Sequence, residues 1–403
     1  MNARSMFADV PLAPRDPILG LTEQFIADQR PGKINLGVGV YFDAAGKLPL
    51  LRAVSQAEDA RAAAHAARGY LPIDGIAVYN KAVQQLLFGV DSPLLAAKRV
   101  VTVQGLGGTG ALKIGADLLK RFMPNAAVYI SDPSWENHRA LFESAGFVVN
   151  QYGYYNAAMH GLNFDSMMTS LKAAPQQSII VLHACCHNPT GVDMSPAQWD
   201  AVIALMIERQ HVGFLDMAYQ GFGDGIAEDA MAVNKFIASG MNFLVSSSFS
   251  KSFSLYGERV GALSIVCESA EEATRVLSQS KRVVRTNYSN PPTHGGTLVA
   301  AVLTDPALRQ TWEDELASMR ERIKAMRVGL VDGLKAKGVK QDFSFVIKQR
   351  GMFSYSGLSA AQVNRLRDEF AIYAIDTGRI CLAALNEKNL PFVIDAIAVV
   401  LEG

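Results

Sequence analysis

The sequence has no excess of either charge and no long apolar run, and each absence argues against a class of protein. Its 403 residues carry 38 Lys and Arg against 38 Asp and Glu, so the formal net charge is zero. Nucleic-acid-binding proteins usually carry a basic excess, which this balance does not provide. No stretch of about 18 apolar residues is available to cross a membrane, and residues 1–16 show no apolar run typical of a signal peptide.

Cysteine is also scarce. The four cysteines are Cys185, Cys186, Cys267 and Cys381, of which two are adjacent and none has the spacing of metal ligands. His183 and His187 flank the adjacent pair, but these side chains are crowded and alternate across a predicted strand. We therefore expect no metal site, and we expect a reduced protein of the cytoplasm.

What the sequence does contain is apolar material in short runs. Hydrophobic residues make up 49% and charged residues 19%, enough for a large core in two or three domains. Five apolar runs with β-branched residues predict buried parallel strands: Arg99–Gln104, Ala127–Asp132, Ser178–Ala184, Val212–Ala218 and Phe243–Ser250. Helical patterns between them, such as residues 111–123 and 195–210, predict an α/β domain.

The pattern changes towards the C-terminus. Residues 306–333 form a long charged run typical of a helix, and a smaller α+β region follows. We expect a large domain over residues 49–318. Residues 16–48 and 319–403 would form a second, smaller domain.

A glycine-rich turn follows the first of these strands. The run Gly105–Gly110 reads GLGGTG and precedes a helical pattern. It matches a dinucleotide-binding fingerprint, and Asp132 ends the next strand as that fingerprint requires. However, a glycine-rich turn at a helix N-terminus binds any phosphate, and such a turn can also be purely structural.

Three other strand ends carry polar side chains. Asn188 lies in a tight turn after one strand, Asp216 ends another, and Tyr219 follows it. Taken alone, each of these residues is equally well explained by an ordinary turn or by a helix cap. A buried carboxylate, however, should be paired, and Asp216 is suited to a protonated ring nitrogen.

The decisive stretch is residues 246–261, SSSFSKSFSLYGERVG, where Lys251 lies among serines and Arg259 follows. A pyridine aldehyde phosphate requires a lysine for a Schiff base, a phosphate-binding cup, an acid for its ring nitrogen and a stacking surface. Lys251, Asp216 and Trp135 match the lysine, the acid and the surface. The cup would be formed by Gly108, Thr109, Ser248, Ser250 and Arg259.

With these motifs, the chain resembles the class I, fold-type I pyridoxal-phosphate aminotransferases, in particular the aspartate and aromatic branch. The resemblance extends, in order, over INLGVGVY, GYLPIDG, GGTGALK, SDPSWENH, CCHNPTG, DMAYQGF, FSKSFSLYGERVG, NYSNPP, GMFSYSGL and TGRICLAALN. It implies a mostly parallel central sheet flanked by helices, a smaller α+β domain, and pyridoxal 5'-phosphate as cofactor. It also implies a homodimer whose residues 1–15 form an arm on the partner, and cis peptide bonds before Pro133 and Pro189.

The resemblance also implies roles at the cofactor. Lys251 forms the Schiff base and carries the proton, Asp216 pairs with the ring nitrogen, and His138 supports Asp216. Tyr219 and Asn188 bind the ring oxygen. Further cofactor contacts fall to Gly108, Thr109, Trp135, Ser248, Ser250 and Arg259.

The remaining roles concern the substrate and the partner subunit. Arg379 binds the α-carboxylate, with Gly39, Asn188 and Trp135 lining the same site. Two residues would come from the partner subunit: Tyr70, at the phosphate and counted as catalytic, and Arg285, at the distal carboxylate of a dicarboxylic substrate.

The branch member is predicted from fewer positions. Phe42 and Leu48 are apolar near the expected pocket, which favours an aromatic substrate, whereas Thr109 and Asn290 match the aspartate type. We expect a transaminase that uses tyrosine or phenylalanine, and also aspartate, with 2-oxoglutarate in a ping-pong cycle. The alternatives are a strict aspartate aminotransferase, an NAD-dependent oxidoreductase and a non-catalytic cofactor-binding protein.

Overall fold

The computed structural model describes residues 5–13 and 17–402. Its α-helices are α1 Pro17–Ala27, α2 Arg52–Ala63, α3 Ala77–Phe88, α4 Pro93–Ala96, α5 Gly107–Phe122, α6 Glu136–Ser144, α7 Phe164–Ala173, α8 Pro196–Glu208, α9 Met231–Ser239, α10 Ala270–Asn287, α11 His294–Thr304, α12 Pro306–Ala336, α13 Phe345–Lys348, α14 Ala360–Phe370 and α15 Leu390–Glu402. Its strands are β1 Ile34–Asn35, β2 Val100–Leu106, β3 Val128–Asp132, β4 Val149–Gly153, β5 Tyr155–Asn156, β6 Gly161–Leu162, β7 Ile179–His183, β8 Val212–Met217, β9 Phe243–Ser248, β10 Val260–Val266, β11 Phe353–Tyr355, β12 Ile372–Tyr373 and β13 Arg379–Cys381.

A seven-stranded sheet, in the order β2-β10-β9-β8-β7-β3-β4, forms the centre of the molecule. All its neighbours pair in parallel except β10, which is antiparallel to both β2 and β9. The strands β7, β9 and β10 are buried along their whole length, because helices cover both faces of the sheet. Most of their side chains are apolar, and the buried polar exceptions are His183, Ser246, Ser247, Ser248 and Ser264. The five predicted strands and the α/β class are confirmed.

Two helix starts explain how the sequence sets these boundaries. Ser195 caps α8: its hydroxyl accepts a bond from the Gln198 amide (3.3 Å), and the Gln198 side chain accepts one from the Ser195 amide (2.8 Å). By contrast, α5 begins at Gly107, four residues before the expected Ala111. The second half of the glycine-rich run, residues 107–110, is therefore the first turn of the helix. The Gly107 amide donates to the Arg259 carbonyl (2.9 Å), and the next amides of this turn have no partner within the helix.

A second group of short strands joins the two ends of the chain. β1 pairs in parallel with β12, and β11 pairs with β13, so the segment around residue 35 lies against the C-terminal third. This pairing supports the expected small domain, whose boundaries remain a prediction. The predicted charged helix is α12, which is 31 residues long.

The N-terminal arm is only partly described. Residues 5–13 are exposed and form turns rather than a helix or strand, whereas residues 1–4, 14 and 15 of the expected arm lie outside the described residues. Among the described helices, none combines the length and apolar character needed to cross a membrane.

Candidate active site

The carboxyl ends of the parallel strands meet at one edge of the sheet, and a cavity of about 230 Å³ opens there. Because β10 runs in the opposite direction, its first residues also reach this edge, with Val260 opposite Leu106 and Gly261 opposite Ser248. Most of the predicted site residues line the cavity: Gly39, Gly108, Thr109, Trp135, Asn188, Asp216, Tyr219, Ser248, Ser250, Lys251, Arg259 and Arg379.

Asp216 is the acid of the cavity and is held by His138. Oδ2 of Asp216 accepts a hydrogen bond from Nε2 of His138 (2.9 Å), and Nδ1 of His138 lies 2.9 Å from the Ser134 hydroxyl. Burial would raise the pKa of the Asp216 carboxyl, but the His138 bond and the cationic neighbours outweigh it and hold the pKa below 3.8. Asp216 is therefore an anion at neutral pH.

Lys251 lies in the turn after β9, with its Nζ 5.0 Å from the centre of the Tyr219 ring. Burial lowers the pKa of this amine from 10.5 to about 8, a shift that Arg259 reinforces and Asp216 opposes. A substantial fraction of the side chain is therefore neutral near pH 8. A neutral amine is the form that attacks a carbonyl carbon or accepts a proton.

Arg259, α5 and the serines after β9 form a cationic cup. Nη1 of Arg259 donates to the Ser250 hydroxyl (3.2 Å) and to the Tyr256 carbonyl (2.9 Å), and among the described residues no carboxylate forms an ion pair with it. A Cβ at Gly107 would lie 2.5 Å from Nη2 of Arg259, and one at Gly108 would lie 3.1 Å from Cβ of Ser248. These two glycines keep the N-terminus of α5 open, so the cup suits a phosphate group.

Arg379 is the second cation of the cavity and is only 1% exposed. Its Nη1 donates to Oδ1 of Asn188 (3.2 Å), and its Nη2 donates to the Gly37 carbonyl (2.6 Å). The guanidinium carbon lies 4.4 Å from the centre of the Phe353 ring, and Nε is buried without a partner. An anionic ligand would supply that missing acceptor.

Three predicted residues do not line this cavity: His138, which bonds to Asp216, and also Tyr70 and Arg285. Tyr70 is 97% exposed, and Arg285 lies exposed on α10, where its Nη1 donates to the Ser289 hydroxyl. Both were assigned to a partner subunit, so the described chain alone does not test their roles.

The two positions used to predict aromatic preference also lie elsewhere. The Phe42 side chain packs against the core, and Leu48 is 48% exposed. Neither is among the residues that line the cavity of the single chain, so their place near the substrate pocket stays a prediction. The Phe42 backbone is held in place by two hydrogen bonds: its amide donates to the Ala383 carbonyl, and its carbonyl accepts from the Arg322 side chain.

Sequence reasoning missed five cavity residues: Ile18, Leu112, His183, Ala218 and Phe353. His183 was considered only as a zinc ligand, and its ring lies between those of His138 and His187. Its place at the end of β7 was a usable signal, because the neighbouring strand ends carry functional side chains. Ile18 and Phe353 come from distant segments with no local pattern.

Metal geometry is possible at two places among the described residues: His138 with His183 and Asp216, and Cys185 with Cys186 and Asp229. In the first group His138 and Asp216 already bond to each other. The absence of a metal remains an expectation. The bonds before Pro133 and Pro189 are both cis, as predicted.

Comparison with known proteins identifies the family. The family described as aminotransferase class I and II matches residues 31–397. The chain belongs to this family. The predicted resemblance is thus confirmed, and the NAD-dependent alternative gains no support from it.

Similar proteins match the sequence of this aminotransferase along nearly its whole length. An aspartate aminotransferase of Pseudomonas aeruginosa is 64% identical over 98% of this chain and 100% of its own. An aromatic-amino-acid aminotransferase of Escherichia coli is 51% identical over the same shares. The crystal structure of an aromatic-amino-acid aminotransferase from Burkholderia pseudomallei, covalently bound to pyridoxal phosphate, is 65% identical with a TM-score of 0.97, covering 99% of this chain and 100% of that one.

Proposed function

We propose that this aminotransferase uses pyridoxal phosphate to move an amino group between an aromatic amino acid or aspartate and 2-oxoglutarate, in a ping-pong cycle. The observation that carries the proposal is a single cavity holding a lysine with a pKa of about 8, an ionised Asp216 and the buried Arg379. The alternative of an NAD-dependent oxidoreductase leaves Lys251, Asp216 and Arg379 unexplained.

The cavity fits the cofactor at each end. The cup of Arg259, Ser248 and Ser250, with the open turn at Gly107 and Gly108, matches a dianionic phosphate. When bound, pyridoxal phosphate supplies a conjugated ring that withdraws the electron pair left on Cα after its proton departs. Trp135 offers a flat surface, and Tyr219 and Asn188 offer polar groups at the cavity wall.

The chain's own residues then move the proton. With the cofactor bound, the neutral Nζ of Lys251 would accept the α-proton of the amino acid and would deliver it to C4′ of the cofactor. Asp216, kept anionic by His138, would hold a proton on the ring nitrogen of the cofactor. Exclusion of water by the buried wall strengthens both interactions.

Arg379 binds the α-carboxylate that every amino acid carries. Its guanidinium is fixed by Asn188, Gly37 and Phe353, so its free Nε and the remaining donor positions are directed before the substrate arrives. Such preorganisation lowers the entropic cost of binding.

The enzyme acts as a homodimer, with Tyr70 and Arg285 of a second copy completing the site. Their exposure on the single chain supports this assignment. The exposed apolar side chains Met6, Phe7, Val10 and Leu12 support an N-terminal arm that packs on the partner.

Substrate class follows from the cavity wall. Ile18, Trp135 and Phe353 give apolar surface suited to an aromatic ring, and Arg285 from the partner suits a distal carboxylate. A strict aspartate aminotransferase is the second candidate, favoured by the name of the Pseudomonas aeruginosa relative.

The proposed compartment is the cytoplasm. All four cysteines are buried and free, as expected where thiols stay reduced.

The test is spectroscopic. The purified protein is expected to be yellow, and glutamate, phenylalanine and aspartate should each shift its visible band. A colourless protein that binds NAD would support the dehydrogenase instead. A yellow protein without response to any amino acid would support a binding protein. A shift with aspartate and glutamate but none with phenylalanine would support the strict aspartate enzyme.

A further inference from the structure

One buried cation lies outside the active-site cavity and has no carboxylate partner among the described residues. Arg327, on α12, is 2% exposed. Its Nη1 donates to the Val346 carbonyl (3.0 Å), and its Nη2 donates to the carbonyls of Gly351 (2.8 Å) and Phe353 (2.7 Å). A buried charge is costly unless its hydrogen bonds are made, so this guanidinium holds all three carbonyls in fixed positions.

The segment whose carbonyls bond to Arg327 is in direct contact with Arg379. Phe353 carries the ring that lies 4.4 Å from the Arg379 guanidinium carbon. Strand β11 also pairs with β13, so that Phe353 is opposite Cys381 and Tyr355 is opposite Arg379 itself. Arg379 is therefore fixed by β11 through its backbone and through a ring face.

The same segment braces the other support of Arg379. The Arg350 amide donates to the Gly191 carbonyl (2.7 Å), and a Cβ at Gly351 would lie 2.5 Å from Cβ of Cys186. The turn before β11 thus packs closely against the loop that carries Asn188. Oδ1 of Asn188 accepts a hydrogen bond from Arg379. A shift of this turn would therefore displace two contacts of Arg379, the one with Phe353 and the one with Asn188.

We propose that Arg327 is a positioning residue for substrate binding: it fixes the turn at Gly351 and strand β11, and through Phe353 and the Asn188 loop it sets the orientation of Arg379. This inference rests on the proposed role of Arg379 as the α-carboxylate site. Because every amino acid carries that carboxylate, Arg327 acts on all substrates alike and not on the choice between them.

The test compares Arg327→Met with Arg327→Lys. Methionine fills similar space without charge or donors, and lysine keeps the charge but gathers its donors on one nitrogen, which cannot span three carbonyls. Lys335→Met, an exposed change on the same helix, is the matched control. Steady-state constants are measured for aspartate and phenylalanine, with active sites counted by the visible absorbance of the bound cofactor.

We expect the KM of both substrates to rise in parallel by about tenfold or more in Arg327→Met, with a smaller rise in Arg327→Lys and none in Lys335→Met. The cofactor band and cofactor affinity should be unchanged. A merely structural role would lower the yield and the melting temperature while leaving KM normal per active site, and that result would overturn the proposal. If Arg327→Met does not fold, a wild-type KM in Arg327→Lys would overturn it equally.

A double-mutant cycle tests the route through Phe353. Phe353→Leu should raise KM, and adding Arg327→Met should raise it by clearly less than the product of the two single effects, because both changes disturb the same support. Independent, multiplicative effects would contradict the proposal. Arg379→Leu in the same assay separates the two claims: a normal KM there removes the α-carboxylate site itself, whereas a raised KM there with a normal one in Arg327→Met removes only this inference.

Discussion

The two arginines assigned to substrate carboxylates differ sharply in their surroundings. Arg379 is buried, bonded to Asn188 and Gly37, and lies against the Phe353 ring. Arg285 is exposed at the C-terminal end of α10 and bonds only to Ser289 among the described hydroxyl and carbonyl groups.

This difference matches what each carboxylate demands. The α-carboxylate is present in every substrate, so a fixed cation loses little entropy on binding and is paired by whichever substrate is bound. The distal carboxylate is present in aspartate and glutamate but absent from phenylalanine. A fixed, buried cation there would face an aromatic ring without a partner, at considerable cost, and an arginine on an exposed helix end can turn away.

The largest expected effect removes the chemistry common to both substrate classes. Lys251→Ala should lose at least about 10²–10⁴-fold in kcat for every amino acid, because no other group transfers the α-proton. Turnover of aspartate and phenylalanine by the purified variant is the measurement. Near-native rates would remove Lys251 from the mechanism.

The next largest effect is expected from removing Arg379, the buried and fixed arginine. Arg379→Leu should reduce kcat/KM by about 3–5 kcal/mol, the scale for breaking a buried ion pair, and by similar amounts for aspartate and phenylalanine. The two specificity constants, measured side by side, provide the check. A loss confined to aspartate would show that Arg379 reads the side chain and not the α-carboxylate.

The smallest effect concerns pH. In cofactor-free protein, the rate of pyridoxal phosphate capture should rise with pH around a midpoint near 8, because the neutral form of Lys251 reacts and burial lowers its pKa to about 8. Asp216→Asn should move the midpoint lower, since Asp216 raises this pKa, whereas Arg285→Leu should leave it in place. A midpoint near 10 would contradict the buried, partly neutral lysine.

Much of the sheet and most of the cavity residues could be predicted from sequence. Strands rich in Val and Ile set the sheet, and Asp216, Asn188 and Lys251 follow strand ends, which parallel pairing brings to one edge. Arg259 reaches the same edge because β10 is antiparallel. The resemblance alone, and no local pattern, pointed to Arg379.

The rest depends on contacts between distant segments. Phe353 and Ile18 reach the cavity from segments that are far apart in sequence. Arg327 lies in a charged helix where an exposed arginine is the ordinary expectation, and only packing reveals that it is buried. Tyr70 and Arg285 were placed at the site by the resemblance, and a single chain does not bring them there.

The division of labour between the two arginines is tested most directly by Arg285→Leu, through the ratio of kcat/KM for aspartate to that for phenylalanine. We predict that the aspartate constant falls by about 3–5 kcal/mol while the phenylalanine constant stays within a few-fold of wild type, so that the ratio collapses. Arg379→Leu, measured in parallel, should leave that ratio nearly unchanged. Equal losses for aspartate and phenylalanine in Arg285→Leu would contradict the account.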